Sequence, residues 1–204
     1  WSSRAPHLPY ELKPGAAKLL KRASDAGIVV VQSAGNAGLD LGTLVRRTSG
    51  AIRNQVTMRD DSWIMNEDEV GPAFEVNTGA IVVGACTSGL PHLRWTAGFP
   101  TNPQPRSNFG DRVDCWAHGE QISTASSSPT FTDDFGGTSS AAAIVAAGVA
   151  VVQSIAMARS ATLTVEQIRE LVRAPEMGRP VFNNESTIGS VPNLKKIIDH
   201  LGGR

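Results

Sequence analysis

"FGGTSSAAAIVAAGVAVV", Phe135 to Val152, sets two serines against a long run of small apolar residues. The run is apolar at almost every position through Ala156, the pattern of a helix packed inside a domain rather than along its surface. Its start lies near Thr138, directly after the glycine pair Gly136-Gly137. Two roles are open to Ser139 at that start. One is to cap the helix, a common use of Ser and Thr. The other is to act as a nucleophile, because the first backbone N–H groups of a helix lack partners and its dipole favours a developing negative charge. Paired glycines before it allow another backbone to approach closely.

The surrounding chain alternates helices with hydrophobic strands. Pro14 to Ala26 places Ala16, Leu19, Leu20, Ala23 and Ala26 on one helical face, with Gly27 as the stop. Ile28 to Val31 follows as a β-branched run suited to a strand covered on both faces, and it leads into the turn Ser33-Ala34-Gly35-Asn36-Ala37-Gly38. Ala80 to Cys86 is a second buried strand, and Arg112 to Ala117 a short third one. Leu41 to Asn77 is acidic and irregular in part. Pro91 to Asn108 and Ser123 to Asp134 have loop composition. Thr164-Val165-Glu166-Gln167 is a capping box opening another helix to about Val172, and Pro192 to Leu201 is a short last helix. This alternation predicts a three-layer α/β domain with a mostly parallel sheet.

Composition excludes several functions. The 204 residues carry 19 basic and 19 acidic side chains, so no net charge draws the chain to nucleic acid or to an anionic membrane. Aromatic residues are 5%, too few for a base-stacking surface. The apolar run Ala141 to Val152 is too short to cross a bilayer, and no signal peptide is visible. Cys86 and Cys115 are either two buried thiols or one bridge between neighbouring strands. No spacing of Cys or His suggests zinc.

Asn36 is the second candidate for chemistry. It follows a buried strand, and sites in open α/β sheets lie at the carboxyl ends of strands. Its amide N–H is suited to an oxyanion, although a turn asparagine is also common. A phosphate-binding loop at Gly35–Gly38 is disfavoured, since G-x-G-x-x-G is absent.

Four stretches occur in order: "GIVVVQSAGNAG" (27–38), "AIVVGAC" (80–86), "SNFGDRVDCWAHGEQISTA" (107–125) and "FGGTSSAAAIVAAG" (135–148). Together they resemble the C-terminal half of the subtilisin-like serine peptidases. The resemblance implies that Ser139 is the nucleophile and Asn36 the oxyanion donor. It further implies that Ser33, Ala34, Gly35 and Thr138 meet the peptide substrate, Ser33-Ala34-Gly35 lining the pocket for the side chain before the scissile bond. No cofactor is identifiable, and structural calcium and secretion are implied by the family alone.

The family carries its Asp and His before the Ala-Gly-Asn segment. Here 35 residues precede Asn36, and none has the matching context. His7 has the wrong neighbours, while His92 and His118 follow Asn36. Asp40, His92 and Ser139 fall in the right order without motif context. Ser140 and Ala143 stand where the family often has Met and Pro. The chain is therefore expected to be the C-terminal part of a single peptidase domain. Its partners would be a peptide or protein substrate and the upstream half of the same peptidase, and the isolated part would be nearly inactive and prone to self-association. The alternative is a non-catalytic subtilisin-like module that binds peptides or a partner chain.

Overall fold

The computed structural model describes residues 8–12, 15–42, 45–46, 52–53, 77–98, 106–126 and 130–202. A 3-10 turn at Tyr10–Leu12 precedes α1 (Ala16–Asp25), and Gly27 (φ 81°) ends that helix as expected. Then come β1 (Val31–Ser33), the pair β2 (Val45–Arg46) and β3 (Ile52–Arg53), β4 (Ile81–Cys86), β5 (His92–Leu93) and β6 (Cys115–His118). They are followed by β7 (Ile122–Ala125), β8 (Phe131–Phe135), α2 (Thr138–Ala158), α3 (Val165–Arg173), β9 (Gly178–Asn183), β10 (Ser186–Pro192) and α4 (Leu194–Gly202).

The central sheet has the order β1-β4-β6 and is parallel throughout. Period-two alternation divides its side chains between two cores. Ile81, Val83, Ala85, Cys115 and Ala117 pack with Ala141, Val145, Val149 and Val152 of α2, with Ile168 and Val172 of α3, and with Ile197 of α4. Val82, Cys86 and Trp116 point the other way, toward Leu12, Ala17, Leu41 and Val181. The fold is α/β, with helices and loops on both faces of a parallel sheet. α3 opens on the expected capping box: Thr164 Oγ1 accepts from the Gln167 N–H, and the Thr164 N–H donates to Gln167 Oε1.

Several elements depart from the sequence expectations. The 28–31 run enters the ladder only at Val31, and Ile28 is 58% exposed. Burial on both faces is therefore not achieved there, because β1 is an outer strand of its sheet among the described residues. Ser123 to Ala125 and Phe131 to Asp134 lie in the antiparallel pair β7–β8 rather than in a loop. Thr, Ile and Phe favour strands, and polar composition alone hid the pairing. The 91–108 loop contains β5, which pairs parallel to β9. The β9–β10 hairpin has no counterpart in the sequence expectations.

The largest departure concerns α2. One stripe, including Ala141, Val145, Val149, Val152 and Ala156, is buried, while Ile144 and Val151 are each 42% exposed and Met157 63%. At 21 residues the helix has the length and composition of a membrane span. Its stripe against the sheet buries 33% of that apolar stretch. Cys86 and Cys115 are buried free thiols, with Cys86 opposite His118 and Cys115 opposite Val83 in the β4–β6 register.

Candidate active site

All three sheet strands run the same way, so their carboxyl ends share one edge, and α2 begins there. Beyond β1 the Ala34 N–H still donates to the Val83 carbonyl (2.8 Å), and the chain then turns. The turn is held by Asn108, which is fully buried. Its Oδ1 accepts from the N–H groups of Ala37 (3.1 Å) and Leu39 (2.8 Å), and its Nδ2 donates to the Ala34 carbonyl (2.7 Å).

Thr138 connects this turn to α2. Its Oγ1 accepts from the Gly35 N–H (3.1 Å) and donates to Asn36 Oδ1 (2.9 Å). The Thr138 backbone N–H also donates to Asn36 Oδ1 (3.0 Å). A backbone N–H can only donate, so the amide atom facing it must be oxygen. The orientation of the Asn36 amide is thereby decided by chemistry, and Nδ2 is left on the other side. Gly137 (φ 87°) is the N-cap residue of α2, and a Cβ built on it would come within 3.0 Å of Asn36 Nδ2. Only glycine accepts both that dihedral and that neighbour. Gly136 is equally confined, since a Cβ there would meet the Gly119 carbonyl oxygen at 2.4 Å.

The two readings of Ser139 now separate. The N-cap is Gly137, which has no side chain, and the first N–H of α2 is taken by Asn36 Oδ1 rather than by Ser139. Ser139 is the second helical residue, its side chain exposed between the buried Thr138 and Ser140. Ser140 turns inward and donates to the carbonyl of Gly137 (2.8 Å). Ser139 therefore presents a hydroxyl to solvent in the first turn, where backbone N–H groups have no intrahelical acceptor.

The structure brings Ser33, Ala34, Gly35, Asn36, Thr138 and Ser139 to one corner. Thr138 is 1% exposed, and its hydroxyl is occupied by Gly35 and Asn36. Its contact with the surface of the corner is made through Asn36. Asn108 was not singled out by sequence, although it lies in the quoted 107–125 stretch. Its role depends on a contact with residues more than 65 positions away in the chain, which no local pattern encodes.

Neither His92 nor His118 is hydrogen-bonded to Ser139. His92 is buried, and its Nδ1 lies 3.1 Å from the Thr87 carbonyl. Asp40 Oδ1 accepts from the Gly42 N–H (2.9 Å). Among the described residues no hydrogen bond joins a histidine to Ser139. His118 packs against His92 at 5.5 Å between ring centroids, and burial followed by that neighbour lowers its pKa. His7 lies outside the described residues. Burial, with a smaller push from Glu120, raises the Cys86 thiol to about 12, and burial raises Cys115 further. Both thiols are protonated at neutral pH and unsuited to attack. Among the described residues no group of three or more His, Cys, Asp or Glu could hold a metal ion.

The model of the subtilase family, Peptidase S8, matches residues 3–185. The chain belongs to the subtilase family. No curated protein is significantly similar to it. Solved subtilase-fold structures are similar. The A-subunit of the AB5 toxin from E. coli shares 21% identity with a TM-score of 0.60, covering 91% of this chain and 54% of that one. The subtilase cytotoxin SubAB shares 21% at 0.57, covering 97% and 56%. The patellamide maturation protease PatA shares 17% at 0.60, covering 97% and 61%. At these identities the likeness is one of fold. This subtilase chain spans little more than half the length of each.

Proposed function

We propose that Ser139 is the nucleophile of a subtilisin-like serine endopeptidase that cleaves peptide bonds through an acyl-enzyme. The observation that carries this is the Asn36 amide, turned by Thr138 so that Nδ2 lies beside Gly137, two residues from Ser139. In this mechanism Ser139 Oγ attacks the scissile carbonyl carbon, and its proton passes to a histidine on an upstream segment. The carbonyl oxygen becomes an oxyanion, held by Asn36 Nδ2 and the Ser139 backbone N–H. Collapse expels the amine, which takes that proton, and water hydrolyses the ester by the same steps in reverse order. Ser33, partly exposed at the end of β1, lines the path of the acyl side, while Ala34 and Gly35 are buried behind it. A serine hydroxyl needs a base beside it to react at neutral pH, so the upstream segment must supply the His and Asp.

A second reading, a peptide-binding module without catalysis, draws on one observation: no histidine bonds to Ser139 among the described residues. The two are separated by adding the polypeptide encoded upstream of Trp1 and assaying amide hydrolysis. The endopeptidase reading expects near-zero turnover from this chain alone, and turnover from the combination that Ser139→Ala abolishes. Hydrolysis by the chain alone, lost in Ser139→Ala, would demand a base within these residues. A combination that stays inert while binding peptides supports the module.

A further inference from the structure

Two arginines lie near the turn that carries Asn36: Arg106 bonds to it, and Phe109, which Arg94 covers, donates its N–H to the Leu39 carbonyl. The Arg106 N–H donates to the Asn36 carbonyl (3.2 Å), and Ala37 and Arg106 pair as neighbouring strands do. The Arg106 side chain crosses Gly38: a Cβ there would sit 3.0 Å from Arg106 Cγ and 3.2 Å from Cδ. Arg106 is exposed. The second guanidinium, of Arg94, lies 4.4 Å above the Phe109 ring, and its Nη1 is buried with no hydrogen-bond partner among the described residues. Burial and the charge of Arg106 lower the pKa of Arg94, and Asp40 acts in the opposite direction. Arg106 also bridges to Thr96, two residues from Arg94, so the two cations sit on adjoining backbone. An arginine stays charged at physiological pH even when shifted. A guanidinium with one buried nitrogen unpaired, close to a like charge, is stabilised when an anion arrives.

We propose that Arg106 and Arg94 form an anion site that receives a carboxylate of the peptide substrate, giving a preference for an acidic residue near the scissile bond. The proposal rests on Ser139 and Asn36 being the reacting centre. An extended peptide advances about 3.3–3.6 Å per residue, so a site on the Asn36–Gly38 turn lies within about two or three residues of the bond.

The test uses this chain, immobilised, and pools of octapeptides in which one position is fixed as Glu or Gln and the others are randomised. Retention is read by mass spectrometry. At one register the Glu pool is expected to be retained about tenfold better than the Gln pool at low salt. The preference should shrink at high salt, collapse in Arg106→Gln and return in part in Arg106→Lys. Amidated peptides assign the carboxylate to a side chain. Preference seen only with free carboxyl termini assigns it to the end of a substrate chain. Equal retention of Glu and Gln at every position, retention of neither, or a preference that survives in Arg106→Gln and Arg94→Gln overturns the site. The endopeptidase reading fails separately, since it is judged by Ser139-dependent hydrolysis whatever the charge preference.

Discussion

Asn36 and Thr138 work as a pair, and their substitutions should differ in kind. In the assembled enzyme Asn36→Ala is expected to lower kcat by about 10²–10³ with little change in KM, a magnitude known from a subtilisin rather than derived from this geometry. The loss falls on kcat because Nδ2 meets the oxygen only after it has moved into its tetrahedral position. Active-site titration followed by kcat per site checks this, and an unchanged kcat removes Asn36 from the mechanism. Thr138→Val takes away the donor to Asn36 Oδ1 and the acceptor for the Gly35 N–H while keeping the volume. It should lower kcat as well and cost about 1–3 kcal/mol of stability for the stranded buried groups. Thr138→Ser keeps the hydroxyl and should restore kcat. If it does not, the hydroxyl is not what positions the amide. Ser139, Asn36 and the glycines around them are legible in sequence because each sits in a short motif. The amide orientation is not, because it depends on a hydrogen bond across 102 positions.

The elements are tied together at the opposite end of the sheet by a buried ion network. Glu11, in the 3-10 turn, is fully buried. Arg112 Nε lies 2.7 Å from Glu11 Oε1 as an ion pair without hydrogen-bond alignment, while Nη2 donates to Glu11 Oε2 (2.8 Å) and to the Ala80 carbonyl (3.1 Å). Arg112 Nη1 reaches Asp114 Oδ2 (2.9 Å), and Arg169 of α3 closes the chain on Asp114 Oδ1 (2.9 Å). Two cations and two anions balance, and they join the N-terminal turn, β4, the approach to β6, and α3. Arg112→Met should cost about 3–5 kcal/mol, because it leaves Glu11 charged in an apolar interior. Adding Glu11→Leu should recover part of that. Urea midpoints at constant m measure both, and a loss below about 1 kcal/mol for Arg112→Met would show that the network does not hold the elements together. Sequence reading passed over these residues, since isolated charges resemble solvated ones until a tertiary contact buries them.

For the whole molecule, the exposed apolar surface is the salient feature. β1 has no outer partner among the described residues, Ile28 and Leu19 (66% exposed) lie on that flank, and α2 shows Ile144, Val151 and Met157 to solvent. A cavity of about 310 Å³ opens between α2 and the β10–α4 corner, lined almost wholly by apolar side chains. An unpaired strand edge and surface of this kind invite association. We propose that the upstream half of the peptidase covers them, in keeping with a chain that spans little more than half of its structural neighbours. Sedimentation at several concentrations should show reversible self-association, reduced by Val151→Glu and suppressed when the upstream half is supplied. A monodisperse monomer with a steep melt at all concentrations would contradict this.

The order of the hydrophobic runs and the Ala-Gly-Asn and Gly-Thr-Ser segments were enough to establish an α/β subtilase chain, to place β4, α2 and α3, and to single out Ser139 and Asn36. Those features are local: period-two and helical periodicity, a capping box, glycines at positions only glycine can fill. The β7–β8 and β9–β10 hairpins, the half-bare face of α2 and the Asn108 brace emerged only on folding. So did the ion network of Glu11, Arg112, Asp114 and Arg169 and the bond of Arg106 to the Asn36 turn. Each rests on which distant segments become neighbours, and side-chain chemistry becomes specific only when packing removes water and sets distance and angle.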